Sequence, residues 1–125
     1  MAKKEVLKKL SPSTNDFQGI DKNSIQLSFV NHLEYSLAKD EYSATELDCY
    51  KALALTVRDR LIERWIETQQ AYYKNDSKRV YYLSLEYLIG RTLGNSLINL
   101  DLYDVVQEAV KELGYDLQEL RNLEC

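Results

Sequence analysis

Two places in this 125-residue chain combine residue types that could do chemistry. The first is Glu86, which ends an uncharged run, Val80-Tyr81-Tyr82-Leu83-Ser84-Leu85, and is followed by Gly90. Such a run reads as a buried strand with a turn after it. A carboxylate at the carboxyl end of a strand stands where ligands bind in open α/β sheets, or it merely ends the strand in solvent. The second place is Trp65, Gln69 and Tyr73, spaced i, i+4, i+8 on one side of a long helical pattern. An indole, an amide and a phenol in line can stack on and hydrogen-bond a planar ligand such as a nucleotide base. From the residues alone, packing and capping is the favoured reading of the same pattern. His32 is the only histidine. With no second ligand type at metal spacing, it reads as structural. The sequence shows no glycine-rich phosphate loop, no metal-ligand cluster and no nucleophile with a nearby base, so it holds no complete catalytic site.

Composition narrows the class. Hydrophobic residues at 45% and charged residues at 29% are ordinary for a soluble globular protein. A net charge of −4 argues against nucleic acid and anionic membranes as partners. No apolar run approaches the roughly 20 residues of a membrane span. The N-terminus lacks the apolar stretch of a secretory signal, so the expected compartment is the cytoplasm. Two cysteines make no disulfide framework.

The elements that would position these residues follow from periodicity. Residues 1–23 show no clear period and read as a mobile arm, with a short amphipathic turn at Val6, Leu7 and Leu10. Asn23 or Ser24 can cap a helix running to about Ala38, whose apolar face is Ile25, Phe29, Leu33 and Leu37 with Val30 beside them. Ser43-Ala44-Thr45-Glu46 matches a capping box and opens a long helix to about Tyr73. Its expected apolar face is Leu47, Tyr50, Ala54, Val57, Leu61 and Trp65, and its expected length is roughly 40 Å. A turn at 74–78 leads into the strand. Leu93, Leu97 and Leu100 make a short helix, and Asp101 or Asp104 starts another that Gly114 ends. Asp116 with Glu119 caps residues 117–123. One apolar strand cannot stand unpaired in water, so it must pair with strands from elsewhere. The expectation is the first piece of a larger α/β protein.

From residue 56 to residue 124 the chain resembles the glycogen (α-1,4-glucan) phosphorylases. The segments that carry this are TVRDRLIERWIETQQAYY, KRVYYLSLEYLIGRTLGNSLINL and LGYDLQELRNLE, with weaker similarity back to about Gly19. The resemblance implies an α/β enzyme of GT-B type with two Rossmann-like domains facing a cleft. This chain would be its N-terminal part, mostly α-helical with one strand near 79–86. Residues 24–73 would form the dimer and regulatory face, and residues 79–124 the first sheet strand and following helices. The implied activity is phosphorolysis of glycogen- or starch-type glucans by inorganic phosphate, giving glucose 1-phosphate. The implied cofactor is pyridoxal 5′-phosphate, whose attachment lysine lies outside this chain, so the fragment would be inactive by itself. Glu86 matches a strand-end glutamate that lines the active site. Trp65, Gln69, Gln70 and Tyr73 match the AMP activation site of animal members, and Asp40 matches an acidic position supplied by the partner subunit of a homodimer. Several positions depart from the animal pattern. Glu67 replaces an arginine, Tyr42 and Ser43 differ in the connector, and Leu88 replaces a cofactor-contacting tyrosine. Ser11 and Ser13 do not reproduce the N-terminal phosphoserine motif. Two rival readings are a short helical interaction module derived from a phosphorylase and a free-standing nucleotide sensor.

Overall fold

The computed structural model describes residues 19–86 and 90–124. Within them the chain is mostly helical: α1 (Lys22–Asn31), a π-helical turn (His32–Ser36), α2 (Glu46–Lys74), α3 (Leu93–Asn99), α4 (Tyr103–Glu112) and α5 (Leu117–Arg121). The expected arm falls largely on residues 1–18, as do Val6, Leu7, Leu10, Ser11 and Ser13. All of these lie outside the described residues, and so does Leu88.

Local chemistry explains the helix ends, with some changes from expectation. Asp21, not Asn23 or Ser24, caps α1: its carboxylate accepts the Ser24 N–H, and the Ser24 hydroxyl donates to it at 2.6 Å. The cap of α2 is Thr45 rather than Ser43. Thr45 and Asp48 satisfy each other's backbone N–H groups in a capping box one position pair later than the expected one. Asp101 starts no helix. It takes a positive φ of 57° that closes α3, while the Leu102 N–H donates back to the Leu97 carbonyl. Asp76 ends α2 in the same way, and Gly114 ends α4 at a φ of 86°, as expected. Asp116 caps α5 by accepting from the N–H groups of Gln118 and Glu119. Helix α3 has no side-chain cap of its own at Thr92. Glu124, far along the chain, supplies one by accepting from the N–H groups of Thr92 and Leu93.

These helices share one core. Ile25, Phe29, Val30 and Leu33 pack with Cys49, Ala52, Leu53 and Val57 of α2, and with the leucines and valines of α3, α4 and α5. Each fully buried Leu, Ile or Phe among them contributes about 1.5–3 kcal/mol. Phe29 meets Tyr115 with ring centroids 5.9 Å apart, and burial pushes the Tyr115 phenol pKa well above its usual value. Polar contacts set how α1 lies on α4. Gln26 donates to the Ala109 carbonyl and to Glu112, and Lys22 pairs with Glu112 at 2.6 Å.

One charged residue sits inside this core. Arg60 is 2% exposed. Its guanidinium donates twice to the Gly19 carbonyl, and also to the Ser28 hydroxyl and the Ser24 and Thr56 carbonyls. Burial pulls its pKa below the ordinary arginine value, and Asp59, Glu63 and Asp21 oppose that pull.

One expectation fails and a second is not met among the described residues. The first is the apolar face of α2. The buried face is Cys49, Ala52, Leu53, Thr56, Val57 and Arg60, whereas Leu47, Leu61 and Trp65 are exposed. The first half of α2 is apolar on several sides, so periodicity could not choose among them. The docking of α1 makes the choice, and an arginine on the inward side disguises it. The second is the strand near 79–86. Residues 77–84 form neither helix nor strand, and Val80 and Leu85 are 88% and 101% exposed. A strand exists only as one side of a ladder, and no partner segment is present among the described residues.

Two outcomes follow. Arg60→Ala takes the guanidinium donor from the Ser28 hydroxyl and the Gly19 carbonyl and should lower stability by about 2–4 kcal/mol. Urea unfolding should show this as a lower midpoint at unchanged slope, and Arg60→Lys should recover only part of the loss because it lacks the fork. The acid limb has a defined sign. Side-chain bonds from Ser24, Ser43 and Lys22 hold Asp21, Asp40 and Glu112 below the ordinary carboxylate range, and the backbone of Thr45 does the same for Asp48. Between the folded and unfolded pKa values the unfolded chain binds more protons. This stabilisation is therefore complete above roughly pH 5 and lost as pH falls through about 4 and below. Thermal melts from pH 7 to pH 3 should fall only on that limb, and Asp48→Asn should flatten it.

Candidate functional site

Beyond Arg60, α2 leaves the core and carries its side chains into solvent. Trp65 is 63% exposed and Tyr73 76%, with Gln69 half-buried between them and Gln70 exposed. The structure thus brings Trp65, Gln69 and Tyr73 into one stripe on a continuous helix, with Gln70 on the adjoining face. A shallow groove of about 330 Å³ runs beside the stripe, lined by Asp59, Ile62, Glu63, Ile66, Glu67 and Gln70. Its polar groups are an amide and three carboxylates. That surface suits a neutral or cationic ligand and repels phosphate.

Periodicity gave no hint of a cation at the far end of the stripe. The Arg79 guanidinium lies over the Tyr73 ring at 4.4 Å and stands 6.0 Å from the Tyr72 ring. In the sequence it is only a charge flanking an apolar run. Its place over Tyr73 depends on the turn at Asn75 and Asp76, which folds the chain back on the end of α2.

Asp40 is not part of this assembly within one chain. It lies in the connector before α2, and roughly 30 Å of helix separate Thr45 from Trp65. The Asp40 carboxylate is turned onto its own loop, where it accepts the N–H groups of Tyr42 and Ser43 and the Ser43 hydroxyl at 2.6 Å. The Ser43 hydroxyl is the main reason its pKa lies below the usual range. Glu86 is exposed, lines neither described groove, and donates its N–H to Ser84 Oγ at 3.0 Å.

His32 is a clip. Its Nε2 lies 2.6 Å from Asp59 Oδ2 and its Nδ1 2.8 Å from Ser36 Oγ. A carboxylate only accepts, so Nε2 carries a proton, and Nδ1 shares the second hydrogen bond with the Ser36 hydroxyl. Ser36 and His32 share one face of the π-helical turn, and Asp59 fastens that turn to α2.

A second groove, about 420 Å³, lies by the turn between α4 and α5 and sets Lys111 against Asp116 and Glu119. Neither groove offers the cluster of cations and N–H groups that a pyridoxal phosphate would need. Among the described residues no group of three His, Cys, Asp or Glu side chains is placed to hold a metal ion, and no helix is long and apolar enough to cross a membrane.

No family model matches the chain. Individual relatives do. The brain form of glycogen phosphorylase from Bos taurus is 52% identical over 104 residues, 83% of this chain and 12% of that protein. The brain form from Homo sapiens is 51% identical over the same shares of both chains. The muscle form from Ovis aries is 52% identical over 100 residues, 80% of this chain and 12% of its own length. The chain spans about an eighth of the length of the relatives it matches. Over most of its length it is a phosphorylase-related sequence, corresponding to an N-terminal portion of the glycogen phosphorylases.

Proposed function

We propose that this chain serves as the N-terminal portion of an α-1,4-glucan phosphorylase, which uses inorganic phosphate to release glucose 1-phosphate from glycogen- or starch-type glucans. The observation that carries this reading is the 52% identity over 104 residues. In the whole enzyme, a cytoplasmic homodimer of GT-B type, α1 and α2 form the dimer and regulatory face. Residues 79–86 join a sheet whose other strands lie outside this chain. Pyridoxal 5′-phosphate is held by other parts of that enzyme and supplies phosphate-group chemistry there. Glu86 lines the active site as a positioning carboxylate. The exposure of Trp65, Gln70 and Tyr73 supports an effector role for the end of α2, completed across the dimer by Asp40 of the other subunit.

The groove's charge qualifies the effector. Glu63 and Glu67 face the place where a nucleotide phosphate would approach from the α2 side, and Arg79 is the cation nearest Tyr73. AMP binding is therefore weak in this sequence, and Glu67 is the main single cause.

The test is a chimaera in which this chain replaces the matching segment of the Bos taurus brain form. Phosphorolysis should persist, Glu86→Gln should lower kcat with little change in KM for glucan, and AMP activation should be weaker than in the parent. Glu67→Arg should tighten AMP about tenfold, or ~1.4 kcal/mol. A folded, dimeric chimaera without activity would overturn the reading. A second reading draws on the helical core that the described residues share: a short helical interaction module. It predicts a cooperative melt of the chain by itself together with capture of an intact phosphorylase. Cooperative melting without capture would sink it.

A further inference from the structure

Beyond Asn31 the chain leaves α1 through an uncommon turn. From His32 to Ser36 it is widened by one residue. The Leu37 N–H reaches back to the His32 carbonyl at 3.0 Å, and the Lys39 N–H to the Leu33 carbonyl at 3.0 Å. Ala38 closes the turn at a φ of 52°. Asp76 and Asp101 also take a positive φ, but each carries a short polar side chain that can hydrogen-bond locally. Alanine has no such group. A wide turn and a left-handed alanine thus stand side by side, and such features persist only where other contacts hold them. Here the holding contact runs through one histidine. The His32 Nε2–H donates to Asp59 Oδ2 at 2.6 Å, and Ser36 Oγ lies 2.8 Å from Nδ1 of the same ring. The ring therefore ties the first and last residues of the turn to one carboxylate on α2.

We propose that the His32–Asp59 bond is a latch on a two-register turn. Latched, residues 32–36 keep the π register. Released, they tighten to α-helix: the Leu37 N–H moves from the His32 carbonyl to the Leu33 carbonyl, and Ala38 leaves the left-handed region. Tightening by one residue changes the rise by about 1.5 Å and turns the chain that follows by roughly 100°. Both registers keep the backbone hydrogen-bonded, so the latch has only to decide between them. The motion reaches the connector as a block. Asp40 accepts from the N–H groups of Tyr42 and Ser43 and from the Ser43 hydroxyl, while its own N–H donates to Ser43 Oγ and its carbonyl accepts the Ala44 N–H. Residues 40–44 are thus one closed loop, and Ala38 and Lys39 absorb the change. The turn and its latch lie wholly within this chain. Only the consequence for Asp40, which the motion re-aims at the effector stripe of the other subunit, rests on the phosphorylase reading, and the chimaera tests that separately.

The test is nuclear magnetic resonance on the full chain, where couplings through hydrogen bonds identify the carbonyl that each amide uses. In the unmodified chain Leu37 should couple to His32. Relaxation dispersion at Leu37, Ala38 and Lys39 should report exchange with a minor register populated at about 1%. His32→Ala and Asp59→Ala should each raise that population at least tenfold and move the Leu37 coupling to Leu33, with helical circular dichroism unchanged. Adding Ala38→Gly to either variant should bring the His32 coupling back, because glycine holds the left-handed position without strain. A Leu37–His32 coupling unchanged in both single variants would overturn the proposal, as would a turn that loses both couplings. Absence of exchange in the unmodified chain would overturn it too, and that measurement needs no substitution to fold.

Discussion

The buried guanidinium of Arg60 governs how the rest of the molecule is arranged. It is the last residue of α2 that the core covers, and its donors reach α1 and the segment that leads into it. A charge in that position is tolerable only because carbonyls and a hydroxyl surround it. Those acceptors fix α1 on α2. With α1 placed, the inward face of α2 is set, and α4 can clamp α1 from the other side through Gln26 and Lys22. On the neighbouring face, His32 ties the π-helical turn to α2 one residue before Arg60, at Asp59.

The same residue marks where the core stops. The remaining turns of α2 project with Trp65, Ile66, Tyr72 and Tyr73 uncovered. Helical propensity alone seldom holds so long an exposed segment. Here it extends a helix whose first half is already nucleated by packing and by a capping box. The result is a stiff arm that presents aromatic and carboxylate groups well away from the core. The chain then turns back at Asp76, and the run from Val80 to Leu85 leaves its apolar side chains in solvent. Among the described residues nothing covers these side chains.

Electrostatics separates this surface from a generic nucleotide site. The stripe offers stacking faces, but the adjoining groove gathers Asp59, Glu63 and Glu67, and the Arg79 guanidinium lies over the face of Tyr73. The glycogen phosphorylases to which this chain is similar are about eight times as long as the matched stretch. The charges of this particular sequence set the electrostatics of its α2 end.

Much of the helical framework was legible in the residues themselves. The face Ile25–Phe29–Leu33, the short helix of Leu93 and Leu97, the stop at Gly114 and the cap at Asp116 each follow from local rules: periodicity, a positive φ that glycine accepts, a carboxylate near N–H groups. The alignment of Trp65, Gln69 and Tyr73 follows from spacing on one helix. Contacts between distant segments were not legible. The sequence does not announce that Arg60 turns inward, that Glu124 caps α3, that Asp59 holds His32, or that Arg79 covers Tyr73, because each needs two segments already docked. The apolar run before Glu86 shows the same division. Its residues determine that it can be a strand, but a strand is a relation between two backbones. Only the tertiary structure shows that, within the described residues, the second backbone is absent.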